Sequence, residues 1–324
     1  MTGGAGYVGS ALVPKLLAAG HRVTVLDLYI YGREALQSVR GHPGLREVEG
    51  DIRDVATVRD ALGGCDSVIH LACISNDPSF ELNPELGRSI NHSCFRPMVR
   101  AAKDMNVERF IYASSSSVYG IKDVPDVDED MPLEPLTDYS KFKALCEAEL
   151  SEEAAPGFVT CTIRPATVCG YAPRQRLDVI VNILTNHAVN TGRIKVFGGS
   201  QLRPNINIED MADLYLFLLD QPDEKINGKI FNAGYENHSL LQLAAIVKKV
   251  IGDHLEVVIE QTDDLRSYHI SSEKLRRELG FTPRYSIDDA VRGLVAAMRD
   301  GRLTDTMTDA RYFNIKRMQQ LELR

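Results

Sequence analysis

No stretch of the 324-residue chain strings together the roughly 18 apolar residues that a membrane-spanning helix requires, so a protein of that type is not expected. A basic excess is missing too. The 37 Lys and Arg stand against 45 Asp and Glu, and the net charge of −8 argues against a nucleic-acid binder. The six cysteines (Cys65, Cys73, Cys94, Cys146, Cys161, Cys169) form no C-x-x-C pair. That excludes a disulfide frame or a zinc site and reads as reduced thiols in a cytoplasmic protein. The first 20 residues have neither a basic head nor a cleavage site, and no secretory leader is expected. Internal repeats, low-complexity segments and long linkers are also lacking. Tryptophan is absent as well, with no bearing on function.

What remains is an ordinary globular composition, 44% hydrophobic and 25% charged, long enough for one large domain or two modest ones. Apolar bursts alternate with amphipathic stretches. Strands are expected at 21–28, 45–52, 67–73, 109–115 and 158–165. Helical patterns lie between them at 54–62, about 84–105 and 138–150. Steady alternation of strand and helix predicts an α/β fold, a doubly wound parallel sheet with helices on both faces. The strand SVIHLAC is apolar throughout, as a strand buried on both faces must be. After about residue 170 the rhythm loosens. Helices are expected at 179–190, from a cap near Glu209, at 239–252, 271–280, 287–301 and 310–322, with a strand at 193–197. The division expected is a dinucleotide-binding domain over 1–170 with a return segment at about 200–233. Residues 171–199 and 234–324 then form a smaller mixed α/β substrate lobe and tail.

The chain begins MTGGAGYVGS, placing Gly3, Gly6 and Gly9 in a G-x-x-G-x-x-G run. Glycine lets the backbone turn tightly and approach a pyrophosphate, and the helix that follows aims its free N–H groups at that charge. Asp27 ends the next strand, 18 residues after Gly9, where a carboxylate can hold a ribose hydroxyl. It would also repel a 2′-phosphate, so NAD is favoured over NADP, with Arg33 nearby as a complication. Pro14, two turns into the helix, predicts a kink or a short early turn.

Tyr139 and Lys143 are four residues apart, on one face of a helix. A nearby ammonium favours an ionised phenol, which can take a proton from an alcohol. Four serines, 114–117, follow the strand RFIYA and should reach the edge of the sheet where α/β folds bind ligands.

Together these pieces resemble the extended short-chain dehydrogenases/reductases of the nucleotide-sugar epimerase and dehydratase family. The match spans roughly residues 1–300: TGGAGYVG, Asp27, GDIRD, HLA, Asn91, SSSSVYG, YSKFK, RPATVCG, RPNINIEDMADLY and DLRSYHIS. The resemblance implies a Rossmann-type fold with NAD. Gly3, Gly6, Tyr7, Val8 and Gly9 would meet its pyrophosphate, and Asp27 the adenine ribose. Asp51 and Ile52 would meet the adenine, and Leu71, Ala72 and Cys73 the cofactor's centre. It makes Tyr139 the acid–base group, Lys143 a ribose-binding residue that tunes it, and Ser115 the catalytic hydroxyl. Arg203 and Arg266 fall where the family places arginines on the substrate diphosphate, and Thr167 stands where an asparagine usually helps. Members of this family also have a short strand before the glycine loop, so the native start is expected upstream of Met1. A homodimer built on 84–105 and 138–153 is expected too.

Dehydratases of this family usually carry Asp-Glu after the catalytic hydroxyl, and its decarboxylases a Glu. Here Ser116 and Ser117 stand there. The resemblance therefore points to a nucleotide-sugar 4-epimerase. A 3,5-epimerase using Cys73, Cys146 or Cys169, a dehydratase, a ketoreductase and a non-catalytic NAD-binding protein are the alternatives. Neither a metal, a nucleic acid nor a membrane is expected as a partner.

Overall fold

The computed structural model describes residues 1–122, 124, 126–262, 267 and 269–323. Eleven strands lie among them: β1 (Val23–Asp27), β2 (Leu45–Glu49), β3 (Ser67–His70), β4 (Arg109–Ala113), β5 (Val159–Pro165), β6 (Thr167–Cys169), β7 (Arg193–Phe197), β8 (Leu202–Asn207), β9 (Lys229–Ala233), β10 (Glu236–Ser239) and β11 (Glu256–Glu260). β3, β4, β5 and β9 form a parallel sheet in that order, and β1 pairs in parallel with β2. Thr2 joins the two groups by bridging Leu26 on one side and His70 on the other. β6, β8 and β10 form a second small sheet, and β7 with β11 a third.

Alternation along β4 explains the helices on both faces. Phe110 and Tyr112 pack into a cluster with Phe95, Met98 and Val99, while Ile111 joins Leu12, Leu16, Met211 and Leu214 on the other side. The first helix, α1 (Tyr7–Ala18), runs through Pro14 as a single helix, so no interruption appears where the sequence suggested a short turn.

One further expectation is corrected. The helical pattern over 84–105 is divided into helices Pro84–Arg88 and Phe95–Asp104 by a π-turn at Ser89–Ser93. The turn lets Asn91 face inward, where its amide donates to the Ile74 carbonyl at 2.9 Å and accepts the Ile74 N–H at 2.8 Å. Such turns cost helix regularity and recur where a side chain must be re-aimed. The cap expected near Glu209 is Asn207, which accepts the Glu209 N–H at 3.0 Å at the start of the helix Ile208–Leu219.

His70 fixes the junction at Thr2, its Nδ1 standing 2.6 Å from the Thr2 hydroxyl. Burial, with Lys143 and the terminal amine adding, pulls this imidazole down to about 3 from 6.5. The unfolded chain thus takes up a proton near pH 6.5 that the folded chain refuses until about 3, so this contribution to stability is whole above 6.5 and is lost as pH falls toward 3. Urea midpoints measured between pH 7.5 and pH 4.5 should fall less steeply in His70→Gln than in the parent. Equal slopes would refute the assignment.

Candidate active site

A cavity of about 380 Å³ opens over the C-terminal ends of β1, β3 and β4. The wall includes Gly3, Gly6, Tyr7, Val8, Gly9, Asp27, Asp51, Ile52, Leu71, Ala72, Cys73, Ser115, Ser116, Tyr139, Lys143 and Thr167. The fold therefore gathers sixteen of the sequence-predicted residues in one place. Arg203 is not on this wall. It lies on β8, with Nη1 donating to the Leu202 carbonyl at 2.9 Å. Arg266 lies outside the described residues.

The glycine loop fits a dinucleotide by packing and by charge. A Cβ at Gly9 would lie 2.4 Å from the Gly3 carbonyl oxygen, and one at Gly3 would lie 2.7 Å from the Ala72 nitrogen. α1 begins at Gly6 with no side-chain cap and no acidic residue in its first turn, so its N–H groups and dipole are left for an anion. The Tyr7 phenol faces away from that anion, donating to the Gly170 carbonyl at 2.6 Å. Asp27 is held by the N–H groups of Ala5 at 2.9 Å and Tyr29 at 2.8 Å. Each of its oxygens keeps a lone pair for a ribose hydroxyl. Burial raises this carboxyl above its usual range in spite of those bonds. Arg33 pairs with Glu49 and stacks on Tyr29 at 4.5 Å.

At the other end stand the hydroxyls. Thr137 caps the helix Asp138–Glu152 in a capping box with Ser140, which puts Tyr139 in the first turn. Thr137 also donates to Asp77 at 2.5 Å. Ser115 begins the 3₁₀ turn Ser116–Tyr119, its Oγ accepting the Ser117 N–H at 3.1 Å and lying 2.8 Å from the Ser117 hydroxyl. Lys143 is buried and donates to the Ala113 carbonyl at 2.6 Å, with its Nζ 5.9 Å from the Tyr139 ring centroid. The electrostatics differ from the sequence expectation. Burial, then Cys73 and Asp77, raises the Tyr139 phenol above its ordinary value, and the Ser115 hydrogen bond opposes this. Burial is the largest of these causes, and it disfavours the phenolate.

Other wall residues had no sequence signal. Tyr31, Arg174, Arg176, Asn314 and Met318 all line the cavity. Arg174 and Arg176 lie in a loop without periodicity. Asn314 and Met318 come from the C-terminal helix Asn314–Leu321.

A buried chain of polar groups supports the serine turn. Ser114 donates to Glu147, and Arg164 pairs with Glu147 through Nε at 3.0 Å and Nη2 at 2.6 Å. Arg164 Nη1 reaches the Tyr119 hydroxyl at 2.7 Å, and that hydroxyl donates to Asn232 on β9 at 2.7 Å.

Comparison with known proteins adds ancestry to this geometry. The sequence pattern of the NAD dependent epimerase/dehydratase family matches residues 1–234. The UDP-glucose 4-epimerase of Lactobacillus helveticus is 29% identical over 314 residues, covering 89% of this chain and 93% of its own. The dTDP-glucose 4,6-dehydratase of Streptomyces griseus is 28% identical over 308 residues, covering 91% and 92%. The structure of DesIV, a dTDP-glucose 4,6-dehydratase from Streptomyces venezuelae solved with NAD, superposes with a TM-score of 0.83 at 25% identity, over 92% of this chain and 96% of that one. The two reaction classes are thus equally similar.

Removing Glu147 leaves the Arg164 charge buried without its carboxylate. Glu147→Leu should lower stability by about 3–5 kcal/mol, read from urea unfolding. A loss below about 1 kcal/mol would show that the pair does not hold the turn.

Proposed function

The chain belongs to the NAD-dependent epimerase/dehydratase family, and from that premise we propose that it inverts C4 of a nucleotide-diphosphate sugar through a transient 4-keto form. Membership makes it an enzyme with NAD as its cofactor, and the cavity's uncapped helix start and Asp27 fit that group. The observation that carries the reaction is the turn beside Ser115. Ser116 and Ser117 present hydroxyls there, and no carboxyl group stands on the turn. Elimination of water needs an acid and a base that titrate near neutral pH, and a serine hydroxyl is neither.

In this reading Tyr139 takes the proton of the C4 hydroxyl while Ser115 hydrogen-bonds the same oxygen. NAD, when bound, would supply a reversible hydride acceptor for C4, and the 4-keto sugar turns over in the site so that its other face is presented. Tyr139 then gives its proton back, so atoms and electrons balance with no net oxidation. Lys143 holds the ribose beside Tyr139, and the cavity wall keeps water from the ketone. Thr167 and Ser116 face the sugar, while Arg203, on the return segment at about 200–233, and Arg266, in the substrate lobe formed by 171–199 and 234–324, serve its diphosphate.

A 3,5-epimerase reading needs a cysteine acid. Cys146 and Cys169 are buried, and burial pushes the Cys146 thiol up to about 12. Cys73 is the cysteine on the cavity wall, so that reading rests on it. All six thiols are free among the described residues, as a reducing cytoplasm would keep them. The helices Phe95–Asp104 and Asp138–Glu152 pack together through Arg100–Glu153 at 2.8 Å and Lys103–Glu153 at 3.1 Å, with Leu145 exposed on the outer side. That face supports a homodimer, and light scattering on a sizing column should give twice the chain mass at micromolar concentration. A monomer there would exclude it.

Proton NMR in D2O with NAD and a panel of UDP-, GDP-, CDP- and dTDP-sugars tests the reaction. A new anomeric signal without ring deuterium is expected, and Tyr139→Phe should slow it by about 10²–10⁴-fold. Deuterium at C3 or C5, or a keto or unsaturated product, would overturn C4 epimerisation.

A further inference from the structure

Arg174 is 4% exposed, yet its Nε and Nη1 have no hydrogen-bond partner. The guanidinium is held in place all the same. Its Nη2 donates to the Asn314 side chain at 2.5 Å, and its plane rests 3.7 Å from the centroid of the Tyr31 ring. The backbone N–H of Arg174 donates to the Ser10 hydroxyl, in the first turns of α1, at 3.0 Å. No carboxylate pairs with it among the described residues. Asp178 serves Arg176 at 2.8 Å, and Asp27 is occupied by two backbone N–H groups. Burial without a counter-ion pulls Arg174 down to about 10. Arg176 beside it also has an unpartnered Nη2, with its Nη1 on the Ser75 hydroxyl at 3.1 Å.

Three guanidinium N–H positions are thus buried, oriented and unused on one wall of the cavity. A buried charge without a partner is costly, and the chemistry that relieves it here is a doubly charged phosphate group. Two such groups enter this cavity, the pyrophosphate of the dinucleotide and the diphosphate of the sugar. Position decides between them. Tyr31 follows Asp27 by four residues at the end of β1, and Ser10 belongs to the helix whose start receives the dinucleotide. We propose that Arg174, braced by Tyr31 and Asn314, clamps the cofactor's pyrophosphate from the side opposite the glycine loop. The inference rests on the family's use of NAD and not on which carbon is inverted. It gives the C-terminal helix a place in cofactor retention, because Asn314 aims the guanidinium and also donates to Ser75 at 2.9 Å.

The test measures binding, apart from turnover. NAD retained per chain after gel filtration is read by absorbance of the released nucleotide, and calorimetry gives affinities for NAD, ADP-ribose, AMP and UDP. Arg174→Met should weaken NAD and ADP-ribose by about tenfold or more, the scale of a charge-assisted hydrogen bond, with AMP and UDP nearly unchanged. Asn314→Leu, which leaves the arginine in place but unaimed, should weaken the same two ligands to a smaller degree and covers the case in which Arg174→Met does not fold. Weaker UDP with NAD and ADP-ribose unchanged would assign the arginine to the sugar diphosphate and overturn the proposal. So would unchanged affinity for all four ligands.

Discussion

Glu147 and Arg164 meet almost out of contact with water, at 5% and 3% side-chain exposure. Around that pair the reactive groups are arranged. Glu147 belongs to the helix that carries Tyr139 and Lys143, and Arg164 to the strand β5 beside the one that delivers the serines. Ser114 leans on the carboxylate and Tyr119 on the guanidinium, so both ends of the serine turn are fixed to one buried dipole. Asn232 extends the network to β9 and to the carbonyls of Val127 and Ser271. A pair of this kind adds little net stability over apolar packing, but breaking half of it is severe. Its use here is geometric. It holds the serine turn in place on the cavity wall.

The cavity divides electrostatically along its length. One end has a helix start, a carboxylate held by backbone N–H groups and a braced arginine. The other has a phenol, a buried ammonium and hydroxyls. Tyr139 without a ligand holds its proton more firmly than a free phenol does, because burial disfavours the anion.

Local rules made one part of this legible and missed another. Glycine spacing, a strand-ending aspartate and a tyrosine four residues before a lysine are short-range patterns with physical reasons, and they led to residues that the fold gathers on one wall. The doubly wound sheet was legible for the same reason, since buried parallel strands have few alternatives to continuous apolar runs. Arg174 and Arg176 were not, because a loop has no period and a buried arginine looks in sequence like a surface one. The π-turn at Ser89–Ser93 was hidden inside a helical pattern that it barely disturbs. The cap near Glu209 is Asn207, whose short amide reaches the N–H two residues on. The raised Tyr139 phenol needed burial to be known, and burial is a tertiary property.

Gly3 and Leu323 line the same cavity. A chain leaving the ribosome can therefore complete its parallel sheet, through β9, before the wall of the site exists. Contacts of such sequence separation are closed late, because the entropy of joining distant segments must be overcome first. Until residues near Asn314 arrive, the glycine loop and Asp27 face water on the side where Arg174 and Met318 later stand. Dinucleotide capture thus becomes a mark of synthesis carried through to the last described helix, and a nascent or clipped polypeptide, however well folded its sheet, would hold the coenzyme loosely.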